Sequence, residues 1–306
     1  MTESDKNLEK AQIFIECLPY VQKFYGKTIV VKYGGNAMIN EELKEAVFRD
    51  LILMNLVGIR VVLVHGGGPD IEDYLGRLDI KSDFRGGLRV TDEAVMETVS
   101  MVLVGKVNQH TVSEINRLGG KAVGLSGKDG AMLRCVKKYA KIRDNDGSVR
   151  SVDIGMVGEV ETVDCTLIHN LLSEMYIPVI APIGTDGEGN TYNVNADYAA
   201  GKIAAALGAM KLFLLTDVEG LYRDFSDKSS LISHLTTDDV AGLVQEGAIK
   251  KGMIPKLESC VQAIYGGVEN VHIIDGRVPH SLLLELFTDS GIGTMLTKGE
   301  SHDDPA

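Results

Sequence analysis

Tryptophan is absent from the 306-residue chain, and aromatic residues make up only 6% of it. Cations are scarce too: 31 Lys and Arg against 43 Asp and Glu leave a formal net charge of −12. A nucleic-acid binder needs a basic face that releases counterions, and an anionic membrane attracts the same kind of surface, so neither is expected as a partner. Small anionic substrates stay open, provided a few local cations hold them. Cys17, Cys135, Cys165 and Cys260 form no CxxC pair and read as reduced core thiols of a cytosolic protein. The seven histidines show no HExxH or other metal-ligand spacing, which disfavours a zinc enzyme. No apolar run is long enough for a membrane span: the greasiest, Leu51 to Val64, is broken by Asn55, Gly58 and Arg60. The opening MTESDKNLEK is polar and acidic, unlike a signal peptide, so a cytoplasmic location is expected.

Three phosphate and nucleophile motifs also fail. Gly26-Lys27-Thr28 has the second half of a Walker A loop, but Val21 stands where its first glycine belongs. A GxGxxG fingerprint fails after Gly66-Gly67-Gly68, where Ile71 replaces the last glycine, and again at Gly291, where Leu296 does. There is no GxSxG elbow.

Glycine, by contrast, is plentiful at 34 residues, in loops between apolar runs, the habit of layered α/β proteins. Lys27 to Tyr33 reads as a buried strand ending at Gly34-Gly35, and Arg60 to Val64 as a second, closed by His65-Gly66-Gly67-Gly68-Pro69. Helical spacing covers Glu41 to Val57, Asp70 to Leu78 and Asp92 to Leu118. The alternation implies a parallel sheet with right-handed crossovers. Ala131 to Val152 alternates around Asp144-Asn145-Asp146-Gly147 and reads as a hairpin. Beyond it come strands at Ile177 to Ala181, Lys211 to Thr216, Asn270 to Ile274 and Thr294 to Thr297, with helices at Ala196 to Leu207 and Gly252 to Tyr265. The expected fold is α/β: a three-layer αβα sandwich around a mostly parallel sheet, in two lobes divided near residue 200, with a frayed tail over 299–306. Leu8, Ala11, Ile15 and Leu18 add an N-terminal helix over 1–25, kinked at Pro19, that is either a packed flap or an oligomer contact.

Both glycine loops follow buried parallel strands, where ligands of α/β sheets gather, and glycine lets backbone N–H groups approach anionic oxygens. Gly34 and Gly35 would form a shared anion cradle with Gly66 to Gly68. Lys32, inside the first strand, is costly there unless it meets an anion; the bland alternative is a lysine snorkelling from the strand edge. Arg89 can grip a carboxylate with two parallel hydrogen bonds, or simply lie on the surface. Asn193, Asn195 and Asp197 precede an alanine-rich helix, with Asn195 as a plausible N-cap. Lys256 near a helix start opposes the dipole unless an anion binds there.

Taken together, KTIVVKYGGNAM, VVLVHGGGPDI, GLRVTDEAVMETV, NVNADYAAGKIAAALGA, LLTDVEGLY and GMIPKL resemble the amino acid kinase family over about Leu8 to Lys298. Within it, they are most similar to members that phosphorylate the side-chain carboxylate of N-acetyl-L-glutamate with ATP. The resemblance implies Lys32, Asp197 and Lys256 as catalytic residues, and Gly34 and Gly35 as phosphate-binding ones. Gly67, Gly68, Arg89 and Asn193 would bind the acceptor; Thr216, Asp217, Gly220 and Tyr222 would bind the nucleotide. The acceptor would occupy a lobe over 26–200 and ATP a lobe over 201–298, with Mg2+ held mainly by ATP phosphates and water. Leu18-Pro19-Tyr20 resembles the arginine-inhibited members, hexamers built as trimers of dimers through the N-terminal helix. By that likeness L-arginine would sit at Tyr20, His272, Glu285 and Gly291, and a PII-type protein is a further candidate partner. Asp70, Glu72 and Asp73 make the stretch after HGGGP more acidic than the family pattern. An N-acetyl-α-aminoadipate kinase and a non-catalytic arginine sensor are the alternatives, and the failed fingerprint disfavours a Rossmann oxidoreductase.

Overall fold

A computed structural model describes residues 2–38, 40–143, 148–224, 226–245 and 253–299. The expected turn at 144–147, the helix start at Gly252 and all but the first residue of the expected tail lie outside these residues. The strands are β1 (Thr28–Tyr33), β2 (Arg60–His65), β3 (Phe84–Arg85), β4 (Leu88–Arg89), β5 (Ala122–Ser126), β6 (Leu133–Arg143), β7 (Val149–Val163) and β8 (Ile177–Ala181). They continue as β9 (Ile183–Thr185), β10 (Thr191–Asn193), β11 (Lys211–Thr216), β12 (Leu221–Tyr222), β13 (Leu231–Ile232), β14 (His234–Thr236), β15 (Asn270–Asp275) and β16 (Thr294–Thr297). The α-helices are α1 (Glu3–Phe24), α2 (Glu41–Leu56), α3 (Gly68–Arg77), α4 (Glu93–Ser100), α5 (Gln109–Arg117), α6 (Thr166–Ser173), α7 (Ala196–Ala206), α8 (Thr237–Gln245), α9 (Ile254–Tyr265) and α10 (Ser281–Leu286).

Eight strands make one sheet in the order β14-β16-β15-β11-β1-β2-β8-β5, parallel except where β16 meets β15. Period-2 alternation of apolar side chains divides the core between its two faces. Ile29, Val31 and Tyr33 of β1 join Val61, Leu63, Phe213 and Leu215 in a cluster covered by α2, α3, α4, α5 and α10. Val30, Val62, Val64, Leu212 and Leu214 face the other way, under α6, α7 and α9. This is the expected three-layer arrangement. The same alternation sends Lys32 to the face of Val30, beneath α7 and α9.

Two features were not anticipated. The hairpin of β6 and β7 closes with the short strands β9 and β10 into a separate four-stranded barrel. The expected helix over Asp92 to Leu118 contains a π-helical stretch, Met101–Asn108, between α4 and α5. Such inserts are rare and concentrate near functional sites. Pro19 lies inside α1, which leaves Leu8, Ile13, Phe14, Ile15 and Leu18 exposed.

An isolated bridge between Thr91 and Gly155 ties the segment after β4 to the barrel. Gly155 has φ +79°, and a Cβ there would lie 2.1 Å from the Thr91 carbonyl oxygen. Gly155→Ala is therefore expected to cost about 2 kcal/mol or more, through both backbone strain and overpacking. Urea unfolding should show a lower midpoint with an unchanged slope.

Candidate active site

The carboxyl edge of β1 and β2 carries the two glycine loops. They meet through a hydrogen bond from the Gly66 N–H to the Tyr33 carbonyl, 2.7 Å. A Cβ on Gly34 would lie 2.9 Å from the Lys32 Nζ, so only glycine leaves that ammonium group open to a ligand. Gly35 follows at φ +71°. Gly67 is pinned from behind, where a Cβ would lie 2.4 Å from Leu103 of the π-helical stretch, and Gly68 starts α3 with Pro69 in its first turn.

Asp197 sits in the first turn of α7, whose N-terminus Asn195 caps by accepting from the Asp197 and Tyr198 N–H groups. The positive end of the dipole favours a carboxylate at that position. A Cβ on Gly201 would come within 3.3 Å of the Ser259 carbonyl oxygen and 3.5 Å of Ala263, so α9 approaches α7 closely. That approach brings Lys256 to Asp197. The Lys256 Nζ donates to Asp197 Oδ2 at 2.6 Å, and the Lys32 Nζ forms an ion pair with Oδ1 at 3.0 Å. All three side chains are at most 18% exposed. Burial alone would raise the Asp197 carboxyl, but the Lys32 and Lys256 ammonium groups outweigh it and hold the group well below the usual carboxylate range.

A cavity of about 180 Å3 is lined by Gly66, Gly67, Gly68, Arg89 and Asn193, among others. It shares Gly87 and Asn195 with one of about 530 Å3 that holds Asp197 and Lys256. Arg89 is buried; its guanidinium donates to the Ser82 hydroxyl, pairs with Glu72 and lies over the Phe84 ring. Asn193 donates to the Thr91 hydroxyl, which in turn donates to the Arg89 carbonyl. The structure thus brings Gly34, Gly67, Gly68, Arg89, Asn193 and the two lysines to one end of the sheet.

Thr216, Asp217, Gly220 and Tyr222 lie at and beyond the end of β11, the strand beside β1. The Thr216 hydroxyl bridges the Val218 and Ile274 carbonyls, and Gly220 lies against the Thr294 hydroxyl. The Tyr222 hydroxyl donates to Glu219.

The remaining predicted group gathers elsewhere. His272 Nδ1 lies 2.7 Å from Glu285 Oε1 and its Nε2 2.7 Å from the Lys211 Nζ. Glu285 also accepts from the Ile292 and Gly293 N–H groups, and Gly291, at φ +57°, leaves no room for a Cβ beside that carboxylate. Burial lowers the His272 ring, so it is neutral, donating from Nδ1 to Glu285 and accepting at Nε2 from Lys211. Burial also lowers the Lys211 ammonium to about 8. Tyr20 of α1 donates to Asp289 and packs edge-on against Phe287.

Sequence reasoning missed Lys211, Thr91 and Asn108. Lys211 opens a strand otherwise apolar, the same signal that marked Lys32. Thr91 gives no signal beyond lying two residues after Arg89. Asn108, buried in the π-helical stretch, donates to His65 Nε2 and to the Val179 carbonyl, while His65 Nδ1 donates to the Gly66 carbonyl. Burial lowers the His65 ring to about 4, so it stays neutral and braces the glycine loop.

Several known proteins are similar to this chain. The profile of the amino acid kinase family matches residues 27–275. An acetylglutamate kinase from Pelotomaculum thermopropionicum is 57% identical over 95% of this chain and 98% of its own length. Another, from Heliobacterium modesticaldum, is 59% identical over 96% of this chain and 99% of its own. Among solved structures, N-acetylglutamate synthase from Neisseria gonorrhoeae, complexed with coenzyme A and N-acetyl-glutamate, superposes with TM-score 0.79 at 27% identity. The match covers 94% of this chain and 63% of the synthase. The synthase complexed with coenzyme A and L-arginine gives TM-score 0.76 at 26% identity, over 94% and 65%.

Asp197→Asn should lower stability by about 3 kcal/mol at pH 7, because two buried ammonium groups lose their common counter-charge. A carboxyl held below its unfolded value of 3.8 contributes stability that is complete above that pH and is lost as pH falls through the folded value. The gap between wild type and variant, measured by urea unfolding, should therefore narrow below about pH 4.

Proposed function

Because the chain belongs to the amino acid kinase family, we propose that it transfers the γ-phosphoryl group of ATP to the side-chain carboxylate of N-acetyl-L-glutamate, a step of arginine biosynthesis. The observation that carries this reading is the Asp197 carboxylate held between Lys32 and Lys256 beside glycine loops that can receive phosphoryl oxygens. Relatives above 50% identity, matched over nearly their whole length, support the acceptor.

In this reading the reaction needs positioning and charge stabilisation more than proton transfer. The acceptor carboxylate is already ionised at pH 7, so no general base is required. A loose phosphoryl transition state spreads negative charge over its equatorial oxygens, and preorganised cations aimed at those oxygens stabilise it. Lys32 and Lys256 supply the cations, with Asp197 fixing where both ammonium groups point. The Gly34 and Gly35 amides take phosphoryl oxygens. The Gly67 and Gly68 amides and Asn193 hold the acceptor, and Arg89 grips its α-carboxylate. Thr216, Asp217, Gly220 and Tyr222 border the nucleotide, so the acceptor belongs to 26–200 and ATP to 201–298. Among the described residues no group of three or more His, Cys, Asp and Glu could hold a metal ion. Mg2+ enters with the ATP substrate, held mainly by the nucleotide's phosphates and by water.

We further propose that L-arginine inhibits by binding among Tyr20, Lys211, His272, Glu285 and Gly291. Supporting this are a buried carboxylate beside the α1 anchor and the related synthase solved with L-arginine. The exposed apolar residues of α1 supply the contact surface for a hexamer. No helix among the described residues is long and apolar enough to cross a membrane, and the cytoplasm is the proposed location.

Lys32→Ala and Lys256→Ala should each lower kcat by about 100-fold or more, with smaller effects on the KM for N-acetyl-L-glutamate, in a coupled assay of ADP release. Near wild-type turnover by either variant contradicts the clamp. N-acetyl-L-α-aminoadipate should be the poorer acceptor by about 10–200-fold in kcat/KM, the range for one methylene. Deleting residues 1–25 should abolish inhibition by arginine while ATP-dependent turnover persists; inhibition that survives the deletion removes α1 from the effector site.

A further inference from the structure

The excess acid after the second glycine loop is not uniform. On α3, Asp70 pairs with Lys106 at 2.7 Å and Asp73 with Arg77 at 2.7 Å, both outside the acceptor cavity. Glu72 instead reaches the guanidinium of Arg89, which lines that cavity, placing its Oε1 2.8 Å from an Nη. Among the described residues, Arg89 is the only cation within ion-pair distance of Glu72. The two partners differ: the Arg89 side chain is 7% exposed and that of Glu72 53%.

We propose that Glu72 is a stand-in carboxylate, which fills the Arg89 fork while the acceptor cavity is empty and leaves it when the acceptor's own carboxylate enters. The proposal rests on the reading that Arg89 receives that carboxylate. Three observations favour a stand-in over a buttress. First, Arg89 is held without Glu72: its other Nη donates to Ser82 at 3.1 Å, Phe84 stacks 4.7 Å from its carbon, and Thr91 fixes its backbone. Second, a half-exposed glutamate can swing into water by rotamer change alone, with no helix movement. Third, an ion pair with one exposed partner is weak, whereas a carboxylate delivered to a buried guanidinium can bond bidentately. The exchange keeps the buried cation paired in both states, which limits the desolvation penalty of an empty site. It also makes entry selective, since a ligand lacking a carboxylate offers nothing equivalent for the bond it displaces.

The test is the Kd of N-acetyl-L-glutamate by titration calorimetry without nucleotide, for wild type, Glu72→Gln and Glu72→Asp, beside the KM in turnover. Loss of a weak ion-pair competitor should tighten binding by about two- to fivefold in Glu72→Gln. Glu72→Asp keeps the charge but is one methylene too short to reach, so it should tighten binding as well. Unchanged or weaker binding by Glu72→Gln overturns the proposal, and weaker binding assigns Glu72 the buttress role. Tightening by Glu72→Gln alone also overturns it, because the effect is then one of net charge and not of occupancy. Wild-type protein that binds N-acetyl-L-glutamate but forms no acyl phosphate contradicts the reaction proposed above and leaves this comparison readable. Absence of binding by the wild type overturns both.

Discussion

One buried carboxylate shared by two ammonium groups organises this molecule. Asp197 is reached by Lys32 from the central strand β1 and by Lys256 from the first turn of α9. Each lysine alone would be a poorly placed charge, one inside a parallel sheet and the other at the positive end of a helix. The shared counter-ion makes both positions tolerable and aims both groups at one point. Much of the local architecture serves that pairing. Asn195 caps α7, Gly201 lets α9 close on it, and Gly34 keeps space open over the Lys32 Nζ.

The same logic recurs in two other buried cations among the described residues. Arg89 keeps Glu72 and Ser82 as partners, and Lys211 leans on a neutral His272 whose far nitrogen donates to Glu285. In each case a cation that burial disfavours is matched to an acceptor that a ligand's charged group can join or replace. Under the exchange proposed for Arg89, binding swaps one partner for another and leaves no bare charge behind. In the proposed reading, the overall field of this acidic protein repels anions, while Lys32, Arg89 and Lys256 at the carboxyl edge attract them.

Much of this was legible in the sequence. The strands β1, β2, β11 and β16 fall within a residue of their expected bounds, the first three built on the apolar runs IVV, VVLV and LFLL. The glycine loops, the cap at Asn195 and the oddly placed Lys32 and Lys256 followed from local chemistry. The barrel did not: β9 and β10 have three residues each, too few for any periodicity. Nor did β5 of the main sheet, a five-residue run interrupted by Gly124. Nor did the π-helical stretch, since one inserted residue shifts the apolar phase without erasing it. The roles of Asn108, Thr91 and Glu72 come from contacts 43 residues away, 102 residues away and across two elements, which no local pattern encodes.

In the proposed transfer, Asp197 holds both ammonium groups so that they face one phosphorus atom. A crystal structure with ADP, Mg2+, aluminium fluoride and N-acetyl-L-glutamate measures this most directly. The Nζ atoms of Lys32 and Lys256 should both lie within about 3 Å of the fluorides that mimic the equatorial oxygens, with Asp197 still between them. A closed, fully occupied site in which either ammonium group stays turned away from the fluorides would contradict it.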